Sequence, residues 1–336
     1  MQDEDLVRVA AWCERHVSGF QGSLRARQFS TGQSNPTYLL EAGSGRYVLR
    51  RKPDGVLLKS AHAVDREYRV MRALAGSDVP VPRVHGLCED DTVLDTMFFV
   101  MDHVSGRVHM DPSLPDQSAP DRRAILLEMA RVLAAIHQVD PGAVGLHDFG
   151  PPGDYYARQL ARWSKQYRAS ETGQIVDMDA LIAWLDAHLP ADDGARVLVH
   201  GDYRIDNLLF EDTRCTAVLD WELSTLGHPY ADLAGVLMQW RLPPGDLGRG
   251  LAGIDRASLG LLDDEAFVAA YAEARGIAPP ADLRFYIAFA FFRMGAILQG
   301  VKKRALDGNA ANPEKARQLG AFVPEFARLG LEAAHG

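Results

Sequence analysis

His200-Gly201-Asp202-Tyr203-Arg204-Ile205-Asp206-Asn207, followed a few residues later by Val218-Leu219-Asp220-Trp221-Glu222, decides how this chain is read. Residues 196–199 form a short apolar run rich in β-branched side chains, residues 208–210 form another, and the polar stretch between them is too short for a helix. The pattern predicts a strand, an exposed loop and a second strand. A turn signal at 211–214 then introduces a third strand over 216–219 that ends at Asp220. Asp202, Asn207 and Asp220 are therefore expected at strand ends or in loops that strands hold, where a rigid support can aim a small polar group.

Those residue types suit phosphoryl transfer. The reaction needs a group that accepts the proton of the nucleophile and hard cations that neutralise phosphate charge, and such cations prefer oxygen ligands. Protein kinases place an Asp base in the catalytic loop, an Asn metal ligand a few residues on, and a metal-binding Asp after the next hairpin. In this order Asp202 is the candidate base, and Asn207 and Asp220 are the candidate Mg2+ ligands. A lone Asp or Asn in a loop is more often an Asx-turn residue. Three in this order, after His-Gly and between apolar strands, favour the chemical reading.

The words 200–207 and 220–222 resemble the signature of the aminoglycoside phosphotransferase-like family of small-molecule kinases, which includes choline kinases. The stretches 29–38, 49–53, 60–68 and 219–229 are similar to the branch found fused to, or encoded beside, acyl-CoA dehydrogenases. The likeness runs from Phe29 to Asp232 and more loosely to the C-terminus. It implies an α+β, protein-kinase-like, two-lobed fold, with a small antiparallel-sheet N-lobe and a mainly helical C-lobe. The expected division is a nucleotide-binding lobe over 1–104 and a catalytic and substrate-binding lobe over 105–336. ATP and Mg2+ are the implied cofactors. The implied acceptor is the hydroxyl of a hydroxyacyl-CoA, and a linked acyl-CoA dehydrogenase is the implied partner. Aminoglycosides and other small alcohols stay open as acceptors, because one fold serves many substrates. A nucleotide-binding regulatory module that has lost transfer is the reading from a different class.

At 336 residues, 47% hydrophobic and 24% charged, the chain has an ordinary globular balance and length enough for two cores. Its net charge of −9, from 36 basic and 45 acidic residues, disfavours a nucleic-acid partner. The acidic start at 1–5 lacks the features of a secretory signal, and no run approaches a membrane span, so a cytoplasmic protein is expected. Cys13, Cys88 and Cys215 are far apart and lack metal-ligand spacing, so buried thiols are expected.

Residues 6–17 have helical spacing, and 27–30, 37–41 and 46–50 read as three strands of a small antiparallel sheet. The turn at 30–35, with Ser34, is where a kinase-like fold lays backbone N–H groups over phosphates, although it lacks G-x-G-x-x-G and also suits a plain hairpin loop. Arg50 stands where such folds place the strand-three Lys, with Lys52 a competing phosphate contact. Glu67, on an expected helix over 61–74, is the ion-pair partner; a surface pairing with Arg66 or Arg69 is the alternative. The apolar strand 97–101 leads into a hinge, where the resemblance implies adenine contacts to the backbone of Asp102 and Val104.

An amphipathic helix is expected from Asp121, with Asp121 as its cap. Arg158 and Trp163, in the aromatic and cationic segment 155–167, are candidate acceptor contacts; an amphipathic helix burying its aromatics is the competing reading. Arg204 and Glu222 complete the substrate candidates. Asp232, at an expected helix start, is a candidate cap and brace for the catalytic loop, and 283–301 reads as a buried helix.

Overall fold

A computed structural model of the chain describes residues 1–29, 35–53, 63–245, 248–309 and 312–336. Ser34, most of the 30–35 turn and the start of the expected 61–74 helix lie outside the described residues.

The chain begins with α1 (Asp3–His16), whose acidic first turn and basic last turn both complement the helix dipole. Val9, Trp12 and Cys13 form its buried stripe at helical spacing. Strands β1 (Arg25–Gln28), β2 (Thr37–Ala42) and β3 (Gly45–Arg51) follow, then α2 (Val64–Ala73), β4 (Val84–Cys88) and β5 (Phe98–Asp102). They form one antiparallel sheet in the order β1-β2-β3-β5-β4. Its core gathers Trp12, Leu40, Leu49, Phe98 and Val100.

β1 starts two residues earlier than the sequence pattern suggests, because Arg25 pairs with Glu41. β4 is not apparent in the sequence at all. Pro80 and Pro82 precede it and Gly86 interrupts it, which together read as loop. The glycine has a packing reason: a Cβ there would meet the Trp12 ring at 2.9 Å, and the register shifts between Val84 and Gly86.

After β6 (Arg107–Val108) come α3 (Ala119–Gln138), α4 (Tyr155–Ser170), α5 (Val176–Ala187) and β7 (Val197–Val199). The segment after β7 ends in a short 3-10 turn at Ile205–Asn207. Next are β8 (Leu208–Glu211), β9 (Arg214–Val218), a second 3-10 turn at Trp221–Leu223, and β10 (Thr225–Gly227). Helices α6 (Tyr230–Trp240), α7 (Arg256–Leu259), α8 (Asp264–Arg275), α9 (Arg284–Leu306), α10 (Pro313–Gly320) and α11 (Val323–His335) complete the chain. Among the described residues no helix is long and apolar enough to cross a membrane.

Helix α3 is capped by Ser118 rather than Asp121: the Ser118 hydroxyl accepts from Asp121 N–H. Pro120 is tolerated because first-turn N–H groups have no helical partner to lose, so the helix starts ahead of the predicted cap.

Contacts divide the chain into two compact units. The first comprises residues 1–108, 141–146 and 207–224, and holds the five-stranded sheet together with β6-β8-β9. The second comprises 109–140, 147–206 and 225–336, and holds the β10-β7 pair and helices α3 to α11. A core of Tyr156, Leu160, Tyr167, Leu181, Phe289 and Phe292 gathers α4, α5 and α9. The hairpin β8–β9, later in the chain than residue 105, goes with the first unit by its contacts. All three cysteines are buried and free.

Candidate active site

In the first unit, the ladder of β8 and β9 pairs Leu208 with Val218, and Leu219 N–H extends it by donating to Asn207 O at 2.8 Å. Asn207 and Asp220 thus stand at the same end of one hairpin. Val218 N–H donates to Pro80 O at 2.8 Å, which anchors that end. Asp220 adopts the left-handed conformation (φ 64°, ψ 59°), uncommon outside glycine and most tolerable for Asp and Asn.

Four charged side chains meet here. Arg50 on β3 puts Nε 2.7 Å from Glu67 Oε2 on α2 and Nη2 2.6 Å from Asp220 Oδ1, with Glu222 Oε2 3.7 Å from the same Nη2. The contact with Glu67 is ionic rather than hydrogen-bonded, since neither atom has an aligned hydrogen-bond partner. Asn35 Nδ2 donates to Glu222 Oε2 at 3.1 Å. One guanidinium therefore faces three carboxylates, and all but Asp220 are largely buried.

The proton equilibria reflect this crowding. Burial pushes the Glu67 carboxyl up to about 7 against the pull of Arg50, with the charges of Asp220 and Glu222 adding to the rise. Burial works against the charge on Arg50, but Glu67, Asp220 and Glu222 outweigh it and hold the guanidinium protonated. The neighbours that might have claimed Glu67 go elsewhere: Arg66 donates to Ser224 O and Arg69 to Gly145 O. Lys52 contributes its backbone, N–H to Met97 O and C=O from the Thr96 hydroxyl. Asp102 ends β5 with its N–H on Arg83 O and its carboxylate 2.7 Å from His85 Nε2, and Val104 is half-buried in the segment that follows.

The oxygen set suits Mg2+. Among the described residues no three His, Cys, Asp or Glu side chains are arranged to hold a metal unaided. Mg2+ is ordinarily held by one or two carboxylates, with phosphate and water completing its shell. Asn207, Asp220 and Glu222 offer that kind of incomplete donor set, in surroundings where carboxylates outnumber the cation.

In the second unit, the segment from β7 to the 3-10 turn is braced by a buried carboxylate. Asp232 on α6 accepts from His200 N–H at 2.7 Å and from Gly201 N–H at 2.8 Å. It makes no capping bond to its own helix. His137 Nε2 lies 3.3 Å from Asp232 Oδ2, and His137 Nδ1 lies 2.8 Å from the Tyr271 hydroxyl, which accepts from Arg275. Burial lowers the His137 pKa, so a neutral ring donating from Nε2 and accepting at Nδ1 satisfies every partner in this chain. Gly201 has φ +85°, a conformation open to glycine at little cost, and it turns the chain immediately before Asp202. Tyr203 donates to Met129 O at 2.7 Å and pins the other side.

Arg204 lies between Asp202 and Asp206, at 3.2 and 3.3 Å, and Arg249 reaches Asp206 at 2.8 Å. Trp163 is buried in the helical core with Nε1 on Gln159, and the Arg158 guanidinium donates to the carbonyls of Pro152, Gly153 and Asp154. Both thus have structural employment. Sequence reasoning missed Asn35, Arg249 and Arg293. Only Asn35 left a trace, as the polar end of an Asn-Pro turn.

The profile of the phosphotransferase enzyme family matches residues 25–286. Mouse acyl-CoA dehydrogenase family member 10 is 45% identical over 329 residues, covering 96% of this chain and 31% of its own. Chicken acyl-CoA dehydrogenase family member 11 is 42% identical over 316 residues, covering 93% of this chain and 40% of its own. The chain thus spans less than half the length of these relatives. A Ralstonia eutropha JMP134 protein, whose crystal structure was solved as a candidate aminoglycoside phosphotransferase, is 47% identical with a TM-score of 0.90, and 98% of each chain is covered. The aminoglycoside phosphotransferase APH(4)-Ia, solved with AMP-PNP and hygromycin B, is 19% identical with a TM-score of 0.62, covering 98% of this chain and 99% of its own. The fold is protein-kinase-like.

Proposed function

The chain belongs to the phosphotransferase enzyme family, and we propose that it transfers the γ-phosphoryl group of ATP to a small-molecule hydroxyl, with Mg2+ as its metal and a hydroxyacyl-CoA as its acceptor. In this reading residues 1–104 form the nucleotide-binding lobe and 105–336 the catalytic and substrate-binding lobe.

Asp202 holds the acceptor hydroxyl and takes its proton as that oxygen bonds to the γ-phosphorus and ADP departs. The brace of His200 and Gly201 on Asp232 fixes the backbone that carries Asp202, and Arg204 orients its carboxylate. Asn207 and Asp220 hold Mg2+, with Glu222 beside them; the ion supplies positive charge against the phosphates. Arg50 pairs with Glu67 as the strand-three Lys of kinases pairs with its helix Glu, and it reaches Asp220 as well. Lys52 is the further candidate phosphate contact, and the Asp102 and Val104 backbone receives adenine. The observation that carries the reading is the bridging of Glu67 and Asp220 by Arg50.

The hydroxyacyl-CoA is favoured by the relatives' names and by identities above 40% across nearly the whole chain. Phosphorylation would convert a poor leaving group into one that eliminates readily, a step for which a linked acyl-CoA dehydrogenase is a fitting partner. Mass spectrometry after incubation with Mg-ATP, hydroxyacyl-CoAs and aminoglycosides tests it. A phosphorylated acyl-CoA is expected from the wild type, with turnover lower by roughly 10²–10⁴-fold in Asp202→Asn. A phosphorylated aminoglycoside alone would overturn the acceptor, and Asp202→Asn within tenfold of wild type would overturn the base.

A further inference from the structure

In the second unit the cations near Asp202 are mostly accounted for. Arg204 is held by Asp202 and Asp206, Arg249 by Asp206, and Arg158 by three backbone carbonyls. Arg293 on α9 differs. Among the described residues it takes part in no ion pair: its guanidinium makes one long bond, 3.4 Å to Gly201 O, and lies 5.9 Å from the centroid of Trp163. Asp232, which braces the same backbone, spends both oxygens on the His200 and Gly201 N–H groups.

A half-buried guanidinium with five donors and one weak acceptor is incompletely solvated by its own protein. Its position is also specific. Gly201, which it touches, is bonded to Asp202, so an oxygen bound by Arg293 and a hydroxyl held by Asp202 can belong to one small molecule, a few bonds apart. Trp163 is fixed by Gln159 and flanked on its ring by Arg162 as well, at 5.1 Å, which gives Arg293 a rigid support and adds positive charge to this face. Such a face repels polycationic acceptors and favours oxygen acceptors of hydrogen bonds.

We propose that Arg293 is the specificity-determining residue for the acceptor, hydrogen-bonding a carbonyl or carboxylate oxygen that lies a few bonds from the hydroxyl held by Asp202. This rests on the phosphotransferase reading above and names the chemistry of its acceptor: a hydroxyl accompanied by an acyl oxygen.

Calorimetric titration in the presence of Mg2+ and a non-hydrolysable ATP analogue tests it with three probes of matched carbon chain: a hydroxyacyl-CoA, the free hydroxy acid and the diol. Arg293→Met keeps the packing on Trp163 and should weaken the acyl-bearing probe by on the order of tenfold to a hundredfold, the factor expected for one charge-assisted hydrogen bond. The diol should bind Arg293→Met as it binds the wild type, and Arg293→Lys should restore part of the loss. Weakening on the acyl-CoA identifies the thioester carbonyl; weakening on the hydroxy acid alone identifies a free carboxylate. Equal loss on all three probes, no loss on any, or a wild type that prefers the diol overturns the proposal. Should Arg293→Met melt well below the wild type, Arg293→Lys carries the same three-probe comparison. Loss of acyl binding without any phosphorylated product would sink the kinase reading and keep this one. Product formed by Arg293→Met at the wild-type KM for the acyl-CoA would do the reverse.

Discussion

Removal of the Asp232 carboxylate should release the backbone of residues 200–201 before it unfolds the protein. Asp232→Ala deprives the His200 and Gly201 N–H groups of their acceptors, at 2.7 and 2.8 Å, and His200 is fully buried. A buried donor left without a partner costs about 1–3 kcal/mol, so two such groups cost about 2–6 kcal/mol. At 1.4 kcal/mol per factor of ten, the two amides should exchange with deuterium roughly thirtyfold faster or more. Asp232→Asn keeps one carbonyl oxygen and should fall between. Hydrogen exchange resolved to residues 200–201, compared with amides of α5 as an internal control, reads this directly. If exchange in Asp232→Ala changes less than fivefold, the carboxylate is not what holds the loop.

The same group sets an acid limit. Burial alone would raise the Asp232 carboxyl, but His137, His200 and the Gly201 N–H together hold it below the ordinary 3.8. A depressed folded value means the stabilisation is complete above the unfolded value and is lost as pH falls through the folded one. Protection of residues 200–201 should therefore persist at pH 5 and fail only in strong acid.

Two further changes probe the cluster of Arg50. Glu67, raised from 4.5 to about 7, binds its proton more tightly when folded, so its contribution favours folding below 4.5 and is lost as pH rises towards 7, by about 3 kcal/mol. Urea unfolding of Glu67→Gln across that range should lack this slope, and a slope equal to wild type would refute the assignment. In Arg50→Lys a single ammonium replaces a fork whose Nε serves Glu67 and whose Nη2 serves Asp220. Stability should fall by about 1–3 kcal/mol and the KM for ATP should rise more than that for the acceptor; an unchanged KM for ATP would show that the bridge does not serve the nucleotide.

How much was legible follows from how local each signal is. Asp202, Asn207 and Asp220 could be placed because strands flank them within a few residues and their types fit one reaction. β4 escaped because its glycine answers to Trp12, over seventy positions earlier in the sequence, so the residue that breaks the strand pattern is the one that lets the strand pack. The α3 cap was misplaced by a proline and an acid that resembled a cap; the hydroxyl before them does the work. Arg249 and Arg293 carried no readable signal, since their contacts lie 43 and 92 residues away.

Arg50 shows how the unusual residue and its surroundings explain each other. A Lys would present one point of charge, and the three carboxylates of Glu67, Asp220 and Glu222 would compete for it. A guanidinium meets Glu67 along one edge and Asp220 at another, leaving the Glu222 carboxylate to share Nη2 and the Asn35 amide. One cation cannot neutralise three anions, and the structure relieves the excess in two ways: burial moves Glu67 towards its neutral form near pH 7, and Asp220 keeps a solvent-facing side. The remaining negative charge lies at the hairpin end shared with Asn207. A site that bound metal-free nucleotide would gain nothing from carboxylates held in excess of their cation, because they repel phosphate. They would become favourable where a bound divalent ion offset their charge. An arginine in the place of the strand-three Lys is, in this arrangement, matched to the carboxylates around it.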